Sequence, residues 1–227
     1  MNSFVLLVNW YDAKTELRKR ENEYALFKNL QLPQINSFVF WDSCKDEEYL
    51  KDLTANSSKN ITINREVIDP PEYKHFLNYA KESNNKNKHF IIANTDIYFD
   101  KTLEAAEELL NNDPDLVLAL SRYEPNQDKQ GHTLYHNAEQ SQDSWFFSPE
   151  TLKRLNPSKY NFSLGKYGCD NRIAKILSTE GFTVKNYCIN ILTYHVHSSN
   201  QRFRSRDVES DKVPGPYLAL PPLKALS

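Results

Sequence analysis

The stretch His89-Phe90-Ile91-Ile92-Ala93-Asn94-Thr95-Asp96 decides how this chain is read. Its apolar run is short and β-branched, which suits a strand buried on both faces. Three polar residues follow at once and end in a carboxylate. In open α/β sheets, ligands gather outside the carboxyl ends of the strands, so Asn94-Thr95-Asp96 stands where chemistry is expected. A carboxylate there is not buried alone, because stripping its water is expensive. Two readings of Asp96 follow. It is a ligand-bearing residue, for instance one holding a divalent ion on a diphosphate, or it is a turn residue bonded to nearby backbone amides.

Similar apolar runs lie on either side, at 4–8, 37–41 and 116–120, with a shorter one at 61–63 and strand-like runs at 183–187 and 189–195. Helical patterns fall between them. The segment 13–30 spaces Leu17, Tyr24, Phe27 and Leu30 near the helical period. Asp69-Pro70-Pro71-Glu72 reads as a helix start with Asp69 as the cap, ahead of a face made by Tyr73, Phe76, Leu77 and Ala80. Asp100 is placed to cap a helix that buries Leu103, Ala106 and Leu110. Ser148-Pro149 opens a short helix with Leu152 and Leu155. Another runs from 170 to 180 with Ile173, Ile176 and Leu177 inward, and Gly181 stops it. The segment 45–53 is a short helix or loop, and 124–142 reads as a long polar loop. Alternating strands and helices predict an α/β fold with a central, mostly parallel sheet. The expected organisation is one domain over 1–200 and an extended tail over 201–227.

Composition narrows the function. The chain has 227 residues, 39% apolar and 26% charged, which suits a globular domain. A net charge of -2 lacks the broad positive field of many nucleic-acid binders, so no nucleic-acid partner is expected, although Arg202, Arg204 and Arg206 cluster locally. Cys44, Cys169 and Cys188 are odd in number and widely spaced, which predicts no disulfide framework and a reducing, cytoplasmic setting. Residues 1–10 read as a first strand rather than a signal peptide. No run approaches the roughly 18 apolar residues of a membrane helix. The five glycines cannot form GxGxxG, and P-loop, GxSxG and HExxH patterns are absent.

Three further places carry candidate chemistry. Asp170 ends the glycine-bearing stretch Gly165-Lys166-Tyr167-Gly168-Cys169-Asp170 at a helix start. It is either a plain helix cap or an ionised carboxylate held as a general base. His195-Val196-His197 puts both imidazoles on one side of a strand, as metal ligands or as satisfied polar residues. In Ser141-Gln142-Asp143-Ser144-Trp145-Phe146-Phe147, Asp143 and Trp145 form either an aromatic platform with a carboxylate for an acceptor sugar, or a core strand with an acid at its end.

The order of these features resembles that of GT-A fold glycosyltransferases, over about 4–197. Asn94-Thr95-Asp96 is similar to their DxD motif, with Asn94 in place of the first acid. The resemblance implies that Asp96 binds a Mn²⁺ or Mg²⁺ ion on the donor diphosphate, with Asn94 near the ribose. It implies that Asp170 is the catalytic base, where Cys169-Asp170 stands for the usual acidic pair. His197 or His195 would complete the metal site, Arg20 and Arg65 would meet the nucleotide, and Arg202 and Arg204 would close over the diphosphate. The implied activity is sugar transfer from a nucleotide-sugar to a glycan, lipid, protein or small-molecule acceptor. Two rivals remain: a metal-dependent phosphoesterase or nuclease built from Asp96, Asp170 and the histidines, and a GT-A-like binding module without turnover.

Overall fold

The computed structural model describes residues 4–65, 70–83, 87–126, 130–196 and 212–225. Its strands are β1 (Phe4–Trp10), β2 (Ile35–Asp42), β3 (Asn60–Asn64), β4 (His89–Ala93), β5 (Ile97–Phe99), β6 (Leu116–Leu120), β7 (Tyr123–Pro125), β8 (His132–Leu134), β9 (Ser144–Phe147), β10 (Thr183–Lys185) and β11 (Thr193–His195). Its helices are α1 (Glu16–Leu30), α2 (Tyr49–Thr54), α3 (Tyr73–Glu82), α4 (Leu103–Asn112), α5 (Pro149–Arg154) and α6 (Cys169–Thr179). Seven strands form one sheet in the order β10-β6-β9-β4-β1-β2-β3. All neighbours are parallel except β9, which runs antiparallel to both β4 and β6. This is the α/β fold with a central, mostly parallel sheet that the strand and helix alternation predicts, and it has the Rossmann-like GT-A form that the family resemblance implies. Among the described residues no helix is long and apolar enough to cross a membrane.

The sheet is covered on both faces, which is why its strands read as unbroken apolar runs. Alternate residues of each strand point to opposite sides. Val5, Leu7, Val39, Phe90, Ile92, Val117, Trp145 and Phe147 pack with α3 and α6 in one core. Phe4, Leu6, Phe38, Phe40, Ile91, Leu118 and Phe146 pack with Leu26, Leu103, Ala106 and Leu110 in the other.

Several local expectations hold. The faces of α3, α4 and α6 are buried at the residues their spacing predicts. Ser148 caps α5 through a reciprocal bond pair with Thr151. Other expectations change. The N-cap of α3 is Glu72, whose partner in the capping box is His75, and Pro70 and Pro71 precede the helix; Asp69 lies outside the described residues. Asp100 lies two positions before the cap: its Oδ1 accepts from the N–H and hydroxyl of Thr102, the N-cap of α4, at 2.9 and 2.5 Å. The segment 124–142 is not a plain loop. β7 and β8 form a hairpin, and a second sheet of order β5-β11-β7-β8 results. The strand-like run 189–195 narrows to β11, because residues 187–192 turn instead of pairing.

The largest correction concerns α1. Leu17, Tyr24 and Phe27 are 44%, 47% and 58% exposed, and the buried residues are Glu21, Asn22, Ala25, Leu26 and Asn29. Polar residues face inward because partners there satisfy them. Asn29 donates to the carbonyl of Ile97 at 2.8 Å and accepts from the N–H of Phe99 at 3.1 Å, so it fills both sides of the edge of β5.

Candidate active site

At one edge of the main sheet lie the carboxyl ends of β1, β2, β4 and β6 and the amino end of antiparallel β9. An open cleft of about 640 Å³ sits outside that edge. Asn9, Tyr11 and Asp12 line it from the end of β1, Ser43 and Lys45 from beyond β2, and Asn94, Thr95 and Asp96 from beyond β4. Lys14, Arg18, Arg122, His195, Leu164 and Gly165 complete much of the wall. Among the described residues, Lys14, Arg18, Lys45, Arg122 and His195 line it alongside only Asp12 and Asp96, a surplus of basic side chains that suits an anionic ligand.

Asp96 is 4% exposed. Its Oδ2 accepts from Arg18 Nη2 at 2.5 Å and meets His195 Nε2 at 2.6 Å. Burial alone would raise its pKa; His195 and Arg18 outweigh that and hold the carboxyl well below the usual carboxylate range. His195 is shifted the other way. Burial disfavours its charge, but the Asp96 carboxylate raises its pKa overall. Topology makes the pair: antiparallel β5 and β11 set His195 opposite Ile97, one residue beyond Asp96. The hydroxyl of Thr95 donates to the carbonyl of Asn9 at 2.5 Å and fixes the turn against β1.

Asn94 turns the other way. Its Nδ2 donates to Asp143 Oδ1 at 3.0 Å, and Arg122 Nη1 reaches both oxygens of the same carboxylate at 3.0 and 2.9 Å. Arg122 also bonds Glu124 through Nε at 3.0 Å and lies 4.1 Å from the centre of the Tyr135 ring. Behind this network is Asp170, in the first turn of α6. Its N-cap is Gly168, whose φ of +81° favours glycine, so Asp170 is not the cap. Cys169 Sγ donates to its Oδ1 at 3.3 Å, and the backbone N–H of Gln142 bonds it as well. Burial, and then the neighbouring Asp143 charge, push its pKa up to about 7.

The other expected residues fall in different places. Arg20 is on the outer face of α1 and pairs with Glu16 at 3.4 Å; Arg18, two positions earlier, is the arginine that reaches Asp96. Arg65 pairs with buried Asp42 at 2.7 Å and bonds the carbonyl of Glu47, so it braces the segment beyond β2 rather than lining the cleft. Trp145 is 1% exposed and packs in the core, so its ring offers no platform to a sugar. Asp143 stands close to the cleft wall but is bonded to Asn94 and Arg122. His197, Arg202 and Arg204 lie outside the described residues. Asp170 itself is not among the described lining residues, whereas Leu164 and Gly165 of the preceding loop are.

A divalent ion at Asp96 was implied by the family resemblance. Among the described residues the donor set does not fit one: Asp96 and His195 are bonded to each other, and Arg18 shares the same carboxylate oxygen. Among the described residues no group of three or more His, Cys, Asp or Glu side chains is placed to hold a metal ion.

Sequence reasoning missed Arg18 and Arg122. A signal for Arg18 did exist, because residues 18, 21, 22, 25, 26 and 29 make one helical stripe, but hydropathy hides a stripe that contains Arg, Glu and two Asn.

No family model matches the chain, and no curated protein matches it. Solved structures do resemble it. Residues 1–349 of TarS from S. aureus, in complex with UDP-GlcNAc, superpose with a TM-score of 0.56 at 15% identity, over 91% of this chain and 62% of that one. The chain thus spans about three fifths of that TarS fragment. The 4-diphosphocytidyl-2C-methyl-D-erythritol synthase of Anaerococcus prevotii superposes with a TM-score of 0.52 at 10% identity, over 92% of this chain and 96% of the synthase. At such identities the likeness is one of fold alone: a GT-A-like α/β sheet.

Proposed function

We propose that this protein is a glycosyltransferase that takes its sugar from a nucleotide-sugar donor. The observation that carries this reading is the pairing of two features at one sheet edge. A cleft rich in cationic side chains lies beside Asn94-Thr95-Asp96, and a carboxyl group with a pKa of about 7, Asp170, lies behind Asp143. The first suits a diphosphate, whose negative charge grows as the anomeric bond breaks. The second suits a general base, which works best when its pKa is near the working pH.

In this mechanism the donor's nucleotide occupies the part of the cleft between Asn9, Tyr11, Asp12 and Ser43. Its diphosphate lies toward Arg18, Lys45 and His195. The acceptor hydroxyl approaches from the side of Leu164 and Gly165 and gives its proton to Asp170. Asn94 serves mainly to place Asp143, and Asp143 in turn raises the basicity of Asp170. The complex of TarS with UDP-GlcNAc, on the same fold, supports a nucleotide-sugar donor.

A second reading, nucleotidyl transfer, is favoured by the near-complete mutual coverage of this chain and the 4-diphosphocytidyl-2C-methyl-D-erythritol synthase, 92% and 96%. One experiment separates the two. The protein is incubated with UDP-, CDP-, GDP- and ADP-sugars and, separately, with nucleoside triphosphates and sugar phosphates. Release of a nucleoside diphosphate from one sugar donor, lost in Asp170→Asn, supports sugar transfer. Release of pyrophosphate from a triphosphate supports the second reading, and binding of no nucleotide at all rejects both.

A further inference from the structure

We propose that Arg18, clamped on Asp96 together with His195, neutralises the donor diphosphate, and that nucleotide binding here requires no divalent ion. This rests on the nucleotide-sugar reading and concerns the same site.

A metal ligand must offer a lone pair, and a histidine nitrogen that is donating a hydrogen bond has none to give. His195 directs Nε2 at Asp96 Oδ2, 2.6 Å away, and that oxygen also takes Arg18 Nη2 at 2.5 Å. An ion seated on this oxygen would have to displace a guanidinium that is itself largely buried and braced by Glu21 at 3.2 Å. The other half of the motif offers no compensation. Asn94 is neutral, and its amide is engaged by Asp143.

A guanidinium is well suited to the alternative. It carries five donors in a fixed fork and one charge at every working pH, and two adjacent donors match a phosphate edge. Asp96 and Glu21 hold part of that fork in place, and the side chain lines the cleft. Asp96 then acts as a positioning residue, and Arg18 is the group that touches the ligand. Lys45, which also lines the cleft, adds a second cation. The arrangement supplies to the leaving diphosphate, from the chain itself, the positive charge an ion supplies elsewhere.

The test is calorimetric titration of the full chain with UDP, CDP, GDP and ADP, in EDTA and in Mn²⁺. The expected result is one nucleoside diphosphate whose Kd agrees within about threefold between the two conditions, and which Arg18→Met weakens by about tenfold or more in EDTA. Arg18→Lys keeps the charge on Asp96 and guards against loss of folding; it is expected to weaken binding several-fold, since one ammonium does not reproduce the fork. Mn²⁺ alone is expected to leave the melting temperature unchanged. Binding that appears only with Mn²⁺ overturns the inference and leaves the nucleotide-sugar reading standing. Metal-independent binding that Arg18→Met and Arg18→Lys both leave intact also overturns it. If no nucleoside diphosphate binds in either condition, the inference and the underlying reading fall together.

Discussion

Arg122 Nη1 bridges the two carboxylate oxygens of Asp143 at 3.0 and 2.9 Å, joining the segment after β6 to the start of β9. Asn94 Nδ2 adds a bond from the end of β4. Three neighbouring strands of the main sheet are therefore tied together at the edge where the cleft opens. The site gains a braced floor, and the Asp143 carboxylate is held in place next to Asp170.

Removing the arginine should expose what that floor is worth. Breaking a buried pair by deleting one partner costs about 3–5 kcal/mol, and here the pair is slightly exposed, so Arg122→Met should lower unfolding stability by about 2–4 kcal/mol. Arg122→Lys should recover less than half of this, because one ammonium does not span both oxygens. Urea unfolding measures both. A loss under about 0.5 kcal/mol for the methionine variant would mean the bridge is ornamental.

Asp170 should trade stability against turnover. Its folded pKa of about 7 lies above the ordinary aspartate value of 3.8, so the unfolded chain gives up this proton first. Its contribution to stability is complete below about pH 4 and is lost as pH rises through about 7. Asp170→Asn removes that penalty. At pH 8 the variant should be more stable than the parent by on the order of 1–4 kcal/mol, at about 1.4 kcal/mol per pKa unit, and the gap should close toward pH 4. The sugar transfer proposed above should meanwhile fall by about 10²–10⁴-fold. Melting curves across pH test the first half and initial rates the second. A variant destabilised at pH 8 contradicts the burial argument.

Asp96 should act with the opposite sign. Arg18 and His195 hold its pKa below the unfolded value, so its contribution is present above that value and is lost as pH falls. Acid unfolding of the parent should therefore begin as pH drops below about 4, and Asp96→Asn should flatten that limb. Parallel acid titrations followed by circular dichroism distinguish the two proteins; identical limbs would remove Asp96 from the acid response.

Which parts of this arrangement the sequence exposes follows from the kind of force involved. Apolar burial leaves a periodic trace, so Tyr73, Phe76, Leu77 and Ala80 identify the buried face of α3 residue by residue. The strand HFIIA and its polar end place Asp96 at the sheet edge for the same reason. Polar burial leaves no such trace. Asn29 is buried because it completes the backbone of β5, 68 residues away, and hydropathy assigns it to the surface while assigning Leu17 and Phe27 to the core. The Asp96–His195 pair spans 99 positions and depends on β11 returning beside β5. Only the topology could choose Arg18 over Arg20, because the two differ by about 200° around the helix axis.

Asn29 gives that point a measurable form. Its loss strands a carbonyl and an N–H of β5 in a buried setting, at about 1–3 kcal/mol for unmade bonds. Asn29→Ala should therefore cost about 2–4 kcal/mol despite the good helix propensity of alanine, while Phe27→Ala on the exposed face should change stability by less than about 1 kcal/mol. Reversal of that order in urea unfolding would show that α1 presents its apolar side inward after all.

Trp145 separates two uses of an aromatic residue beside a site. A platform for an acceptor sugar needs an open ring face, and truncating it would raise the acceptor KM while leaving stability nearly unchanged. A core residue behaves the other way. Trp145 stands opposite Ile92 and Ala119 in the middle of the sheet and is 1% exposed. Trp145→Ala leaves a large void, at about 3–5 kcal/mol, and Trp145→Phe a smaller one, at about 1–2 kcal/mol. The phenylalanine variant is the decisive one, since it stays folded and keeps an aromatic ring. It should lose stability by that amount and keep nucleoside diphosphate affinity and acceptor KM within about twofold of the parent. An acceptor KM that rises with little loss of stability would move Trp145 out of the core role and back to the acceptor side of the cleft.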